Sequence, residues 1–324
     1  MSSRTELARA YYDLATMLDA GMPILRSLDV VTEGRKGYFK RLFTQIRETV
    51  SKGSGLNEAM DEHRNIFPDL DRMLVEAAET SGSVGEALKM LSHWHEFMHR
   101  IVRRIITGLI YPFLILHIAA FVFPIPSLVL GSSFTVGNYL MSALHILMLL
   151  YIPTAVIVAL VLLKDKVPPL RWPLDFAALR IPILGRAIYH LSICRYTKTF
   201  GMLYKAGVPM TETTARALRA TGNVVVARLF AGGTESVRQG GLAWEGFSDH
   251  LPTEYRHLWQ IGEETGELDR TTDKIAEIAA DRADLMFTEF ARWMPRIIYF
   301  IILGILAVMV LLMASQVYGN LPTF

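Results

Sequence analysis

The distribution of charge constrains this chain more than any other feature. Between Arg104 and Lys164 there is no Asp, Glu, Lys or Arg in residues 105–163, a run of 59, and none follows Arg296. A water-soluble fold has no use for such gaps, whereas lipid demands them, because each ionised group placed in hydrocarbon costs several kcal/mol. The first gap divides around the Pro-, Gly- and Ser-rich stretch P-I-P-S-L-V-L-G-S-S-F-T-V-G-N. Two spans are therefore predicted, 105–123 and 139–163, joined by a turn at 124–138. A third is predicted at 297–315, with a tail at 316–324. Each span has roughly 19 to 25 residues, enough to cross about 30 Å of hydrocarbon as a helix.

Basic residues orient these spans. Arg100, Arg103 and Arg104 precede the first, Lys164, Lys166 and Arg171 follow the second, and Arg292 and Arg296 precede the third, while the 124–138 turn and the tail carry no Lys or Arg. The positive-inside rule places 1–104 and 164–296 in the cytoplasm and the short connections outside, with the N-terminus cytoplasmic. The start, M-S-S-R-T-E-L-A-R-A-Y-Y-D, lacks the apolar core of a secretory signal. The 33 basic and 31 acidic residues nearly cancel, so no nucleic-acid partner is expected. The single cysteine, Cys194, can form no intramolecular disulfide.

The polar regions repeat. A-G-M-P at 20–23 recurs as A-G-V-P at 206–209, and Gly55-Leu56 as Gly241-Leu242, both 186 positions on. Phe67-Pro68 is matched by Leu251-Pro252, and E-T-S-G-S-V (79–84) by E-E-T-G-E-L (263–268), at an offset of 184. Four collinear landmarks indicate a duplicated domain rather than a short-period solenoid. Leu7, Tyr11, Leu14, Ala15 and Leu18 keep helical spacing, as do Tyr196, Phe200 and Leu203. No alternating strand pattern stands out. The expected fold is all-α: a polytopic membrane protein with two homologous cytoplasmic helical bundles.

The small residues have mechanical readings. Gly21 and Gly207 can take the left-handed conformation that ends a helix, and Pro23 and Pro209 can open the next. Gly82 and Gly266 are expected to break a second helix pair. The acids beside them, Glu79, Glu263, Glu264 and Glu267, either cap a helix or form a surface facing a partner.

One stretch points elsewhere. His95-Glu96-Phe97-Met98-His99 spells H-E-x-x-H, which on a helix puts two imidazoles one turn apart for zinc, with Glu96 as base. The pattern arises by chance in about one chain in seventy of this composition. The next carboxylate downstream of Glu96 is Asp165, beyond two spans, and the repeat carries Ala279, Ala280 and Ala283 at the matching positions. An amphipathic helix entering the membrane is the preferred reading, and a membrane-bound zinc metallopeptidase the alternative. No G-x-x-x-x-G-K-[ST] and no G-x-S-x-G occurs, so no cofactor is expected. His117 and His145 fall inside spans and are expected to pack against other helices; Pro112 and Pro153 are expected to kink theirs.

Taken together, M-L-D-A-G-M-P, E-T-S-G-S-V-G-E-A-L, R-R-I-I-T-G-L-I-Y-P-F-L-I-L, L-R-I-P-I-L-G (with Pro182 and Gly185), T-F-G-M-L-Y-K-A-G-V-P and I-G-E-E-T-G-E-L make the chain resemble the type II secretion system protein F family. These are the inner-membrane platform proteins of type II secretion and type IV pilus machines. Longer members carry a further cytoplasmic segment before the first domain; the pattern here begins near Leu7, which resembles the platforms of type IVb pili. The resemblance implies no catalysis. It implies a separate cytoplasmic hexameric assembly ATPase docking on the two domains, contacts with pilin transmembrane helices and other inner-membrane assembly components, and a homo-oligomer, a dimer or small ring. A zinc site is not known at the position of H-E-F-M-H in that family.

Overall fold

The structure is a computed structural model that describes residues 3–122, 124–125, 135–164 and 167–319. Most of the 124–138 turn, Lys166 and the last five residues of the tail lie outside the described residues. Every regular element among the described residues is helical. The first half contains α1 (Ser3–Asp19), α2 (Ile24–Glu33), α3 (Gly37–Ser51), α4 (Leu56–Asp61), α5 (Asp69–Ser81) and α6 (Val84–Val122). There follow α7 (Val136–Leu163), α8 (Pro168–Arg180), α9 (Leu184–Lys205), α10 (Met210–Ala220), α11 (Val224–Arg238), a 3-10 turn (Ala243–Gly246), α12 (Thr253–Thr265) and α13 (Leu268–Gly319).

The helices form two compact units, Met1–Val102 with Arg186–Asp284, and Arg103–Gly185 with Leu285–Phe324. The first unit holds both polar helical regions. Its core begins with the α1 stripe Leu7, Ala10, Tyr11, Leu14 and Ala15, packed on Leu28, Phe43 and Leu74 from α2, α3 and α5. Met202, Leu203 and Ala206 of α9 join the same cluster, so the two regions share a core. The later region also has an aromatic centre: Tyr196 stacks on Phe230 with ring centroids 3.9 Å apart, and Phe247 and Trp259 close around them edge-on or tilted. Side chains of this size each contribute about 1.5–3 kcal/mol when fully withdrawn from water, so these two clusters set the stability of the unit.

The second unit contains the apolar helices. Among the described residues two helices are long and apolar enough to cross a membrane, Val84–Val122 and Val136–Val161, and their apolar windows are 7% and 0% buried. That low burial separates them from the core helices of a soluble domain, which pass the same test of length. The expected third span, 297–315, lies within α13, and many of its side chains are outside the described residues. Pro153 sits inside α7 and Pro295 inside α13; Pro112 falls within α6, but its side chain is outside the described ones. Residues 164–185 group with these helices.

Two contacts organise this unit. The His117 ring hydrogen-bonds the Phe113 carbonyl through Nδ1 at 2.7 Å and the Tyr151 hydroxyl through Nε2 at 2.5 Å. A carbonyl can only accept, so Nδ1 carries the proton and Nε2 accepts from Tyr151. The ring thus bonds within α6 and across to α7. Gly108 of α6 meets α13 so closely that a Cβ there would lie 2.5 Å from Ala291 Cβ, the small-residue packing that membrane helices use to approach each other. His145, by contrast, is exposed on α7.

Candidate functional site

The paired glycines, prolines and acids singled out by sequence gather at two kinds of place in the first unit, a helical hairpin and a capped loop, and each occurs twice; Pro112, His117, His145, Pro153, Pro182 and Gly185 lie in the second unit. In the hairpin between α1 and α2, Gly21 has φ +79°; its N–H reaches the Leu18 carbonyl at 2.9 Å and that of Met22 the Met17 carbonyl at 2.9 Å. Between α9 and α10, Gly207 also has φ +79°, with N–H donors of Gly207 and Val208 on the carbonyls of Tyr204 and Leu203 at 3.0 and 3.1 Å. Both are Schellman closures, which place a left-handed residue at the helix end. Pro23 and Pro209 follow at the N-caps of α2 and α10, each accepting from a backbone N–H of the first turn.

The second place is the E-x-x-G element. Gly82 (φ +74°) ends α5 and Gly266 (φ +75°) ends α12. One turn earlier Glu79 turns back across 23 residues and accepts backbone N–H bonds from Leu56 and Asn57, at the start of α4. Glu263 does the same for Ala243 and Trp244, at 2.7 and 3.1 Å, at the start of the 3-10 turn. A carboxylate here supplies the acceptors that the first N–H groups of a helical turn otherwise lack. Burial pushes the Glu263 carboxyl above its ordinary range, opposed by these two backbone donors. Gly55 makes room in the first loop: a Cβ on it would stand 2.9 Å from Glu79 Oε2. The bonds also set the register between the two loops. Leu56 corresponds to Ala243, an offset of 187, one residue beyond the pairing of Gly55-Leu56 with Gly241-Leu242. Glu264 and Glu267 remain on the surface, where the Glu264 carboxylate accepts from Gln260 of its own helix and the Glu267 carboxylate, just before α13, accepts from Arg270.

The structure corrects the zinc alternative. His95 is 4% exposed and its Nε2 lies 2.7 Å from Asp71 Oδ2, which also accepts from the Tyr11 hydroxyl at 2.7 Å. Glu96, the next residue on α6, is exposed. Among the described residues no group of three His, Cys, Asp or Glu side chains is placed to hold a metal ion. The pattern His95-Glu96-x-x-His99 therefore splits: its first histidine belongs to a buried polar network linking α1, α5 and α6. Burial, with the Asp71 charge beside it, pushes the Tyr11 phenol well above its usual range.

Sequence reasoning missed that network, and a signal for it existed. Asp71 interrupts the apolar series Leu70, Leu74, Val75, Ala78 on α5, and it is 0% exposed. An acid in a core stripe needs a donor. Also missed was the strain at L-R-I-P-I-L-G. Ile183, next to Pro182, has φ +64°, and a Cβ on Gly185 would lie 2.0 Å from the Leu179 carbonyl oxygen. A β-branched residue in the left-handed region is an outlier, here held by the turn from α8 to α9.

The profile of the family described as type II secretion system (T2SS), protein F, matches residues 10–130 and 196–315, well over half of the chain and once over each region just described. The chain belongs to the type II secretion system protein F family. Similar proteins span both of its branches. The type IV pilus assembly protein PilC of Pseudomonas aeruginosa is 25% identical over 84% of this chain and 78% of its own length. PilC of Thermus thermophilus is 27% identical over 86% and 73%, and the type II secretion system protein F of Aeromonas hydrophila 27% over 88% and 78%. Membership of the protein F family places the hairpins and capped loops in the segments that the profile covers twice.

Proposed function

We propose that this chain is an inner-membrane platform protein of a type IV pilus or type II secretion machine, which couples a separate cytoplasmic hexameric ATPase to polymerisation of pilin. The observation that carries this reading is the double family match, laid over two polar helical regions separated by apolar helices. On this reading the chain is a duplicated domain crossing the membrane three times, at 105–123, 139–163 and 297–315, with 1–104 and 164–296 in the cytoplasm and 124–138 and 316–324 outside. The paired φ values, Schellman closures and glutamate caps support the duplication.

The platform performs no reaction of its own. It takes up force at its cytoplasmic helices and passes it through α6 and α13, each unbroken by a loop from polar region to apolar segment. The hairpin glycines and the Glu79 and Glu263 caps hold loop geometry against that load; Glu264 and Glu267 face a partner. Exposed apolar positions on α6 and α7, with His145 among them, offer a surface to pilin transmembrane helices and other inner-membrane components.

The test is capture of the machine's assembly ATPase by the detergent-purified, full-length chain, with chemical crosslinking as a second readout. Recovery of the ATPase is expected, without any requirement for zinc. Failure to recover it in either format refutes the coupling. Reporter fusions at residue 1 and within 124–138, giving cytoplasmic and external signals respectively, test the topology.

A further inference from the structure

The two halves of the first unit do not meet symmetrically. The later half gives α9 and α10 to the contact, burying Met202, Leu203 and Ala206 in the earlier half's core with Val208 packed beside them. The earlier half receives them on α5, where Met73, Ala77 and Thr80 line a groove of about 440 Å³ with Glu212 and Arg216 on its far wall. Arg216 Nη1 is 3.7 Å from Glu76 Oε2 across it. Such a contact uses one kind of face on each half and leaves the complementary face of each uncovered.

The uncovered faces can be located by register, since α1 and α2 precede α9 and α10 by 186 positions and α5 precedes α12 by 184. Buried Met202 and Ala206 correspond to Thr16 and Ala20, both exposed. Fully buried Leu74 corresponds to half-buried Leu258. Among the described residues of this unit, four large apolar side chains are exposed: Tyr12 (53%), Val30 (47%), Tyr38 (53%) and Ile261 (53%). Two of the four occupy positions whose counterparts line that groove, Val30 for Arg216 and Ile261 for Ala77, and Tyr12 lies on the same α1–α2 face as Val30. Charge agrees as well. Glu212 and Thr80, which share the groove, correspond to Arg26 and Glu264, of opposite sign and both exposed.

We infer that a second copy of this chain repeats the internal contact between molecules, seating the α1–α2 face around Tyr12 and Val30 on the α12 face around Ile261 of its neighbour. Arg26 then lies against Glu264. The contact is head-to-tail, so each chain has one donor and one acceptor face, and association closes into a ring or continues. It rests on the duplication proposed above and names the surfaces of the homo-oligomer.

Disulfide trapping of the full-length chain in native membranes tests it, with Val30→Cys and Ile261→Cys on differently tagged copies expressed together. Both sites are exposed, so folding is preserved, and Cys194 stays silent because burial lifts its thiol to about 12. Oxidation is expected to link the V30C chain to the I261C chain, and neither to itself. A chain carrying both cysteines should give species larger than a dimer. Self-linking of either single variant would mean a two-fold contact, and absence of any link would mean that other components cover these faces; both results overturn the inference. A chain that fails to link yet captures the ATPase leaves the platform reading standing, and one that links but captures none separates the two in the opposite sense.

Discussion

Replacing Glu79 by glutamine removes one oxygen and puts an amide donor where a carboxylate accepted. Glu79 accepts from two backbone N–H groups at the start of α4, and glutamine can serve only one while its NH₂ confronts the other. A hydrogen bond to a charged group contributes about 1.5–3 kcal/mol net, so E79Q should cost about 2 kcal/mol. For a unit of this size 1 kcal/mol moves Tm by about 2–4 °C, which predicts a fall of about 4–8 °C. Gly55→Ala supplies an independent route to the same loss, since its Cβ would displace the carboxylate it now faces at 2.9 Å. The measurement is thermal unfolding of the detergent-solubilised full-length chain by intrinsic fluorescence, with E264Q and E267Q as surface controls expected within about 0.5 kcal/mol of wild type. If E79Q and G55A both melt with the wild type and instead weaken ATPase capture, Glu79 is a partner contact and the capping argument is wrong. E263Q should cost less than E79Q. The Glu263 carboxyl is raised, chiefly by burial, so its titration favours the fold when protonated: that contribution is full below the ordinary 4.5 and is lost as pH rises through the higher folded value.

Three further outcomes are expected. Gly185→Ala drives a Cβ into the Leu179 carbonyl, a backbone atom that cannot swing aside; it should destabilise by about 3 kcal/mol, read as new protease sensitivity near residue 183. Asp273 is partly buried, which raises its carboxyl, but hydrogen bonds from Lys198 at 2.8 Å and Lys205 outweigh that and hold it below the ordinary 3.8. Its stabilisation is present above that value and lost as pH falls through the lower folded one, so D273N should flatten the acid limb of the stability profile. Tyr151→Phe leaves His117 Nε2 without its donor inside the membrane segments; a cost of about 0.6 kcal/mol is expected, and a double-mutant cycle with His117→Phe should recover part of it.

Which features could be read from the sequence depended on how local their causes are. Gly21 and Gly207 announce themselves because a left-handed helix end admits little else, and the four residues A-G-x-P contain the whole device. The apolar run 105–163 is legible for the same reason, since length and lack of charge decide a membrane helix without reference to a partner. The Glu79 cap is not local: it joins positions 79 and 56, and nothing near either says that they meet. The Glu79–Glu263 pair is legible, yet the residues they cap fall one position beyond the Gly-Leu pairing, because a residue added between the starts of α10 and α11, where the offset passes from 186 to 187, is invisible when both loops contain Gly-Leu. H-E-x-x-H misled in the opposite way. Its spacing is local and correct for two imidazoles on one helix, but the chemistry depends on what His95 faces, and it faces Asp71 and Tyr11.

The two halves are alike in some respects and unlike in others, and physics explains the division. Backbone devices recur almost unchanged, down to φ values within one degree at Gly82 and Gly266, because an L side chain there would be strained. The cores have diverged. Tyr11, Asp71 and His95 stand in register with Thr197, Tyr255 and Ala279, and the later half fills its centre with stacked aromatic rings. A core accepts many solutions of equal volume, whereas a left-handed turn accepts few. The outward faces are different again: counterparts differ in burial because one of each pair is covered by the other half of the same chain and one is not. Had the halves docked by a two-fold contact, both copies of each face would be covered and Tyr12, Val30 and Ile261 would have no reason to be apolar. A head-to-tail contact leaves one donor and one acceptor face over in every chain, and on the duplication proposed above that surplus is what the inferred link between neighbours uses.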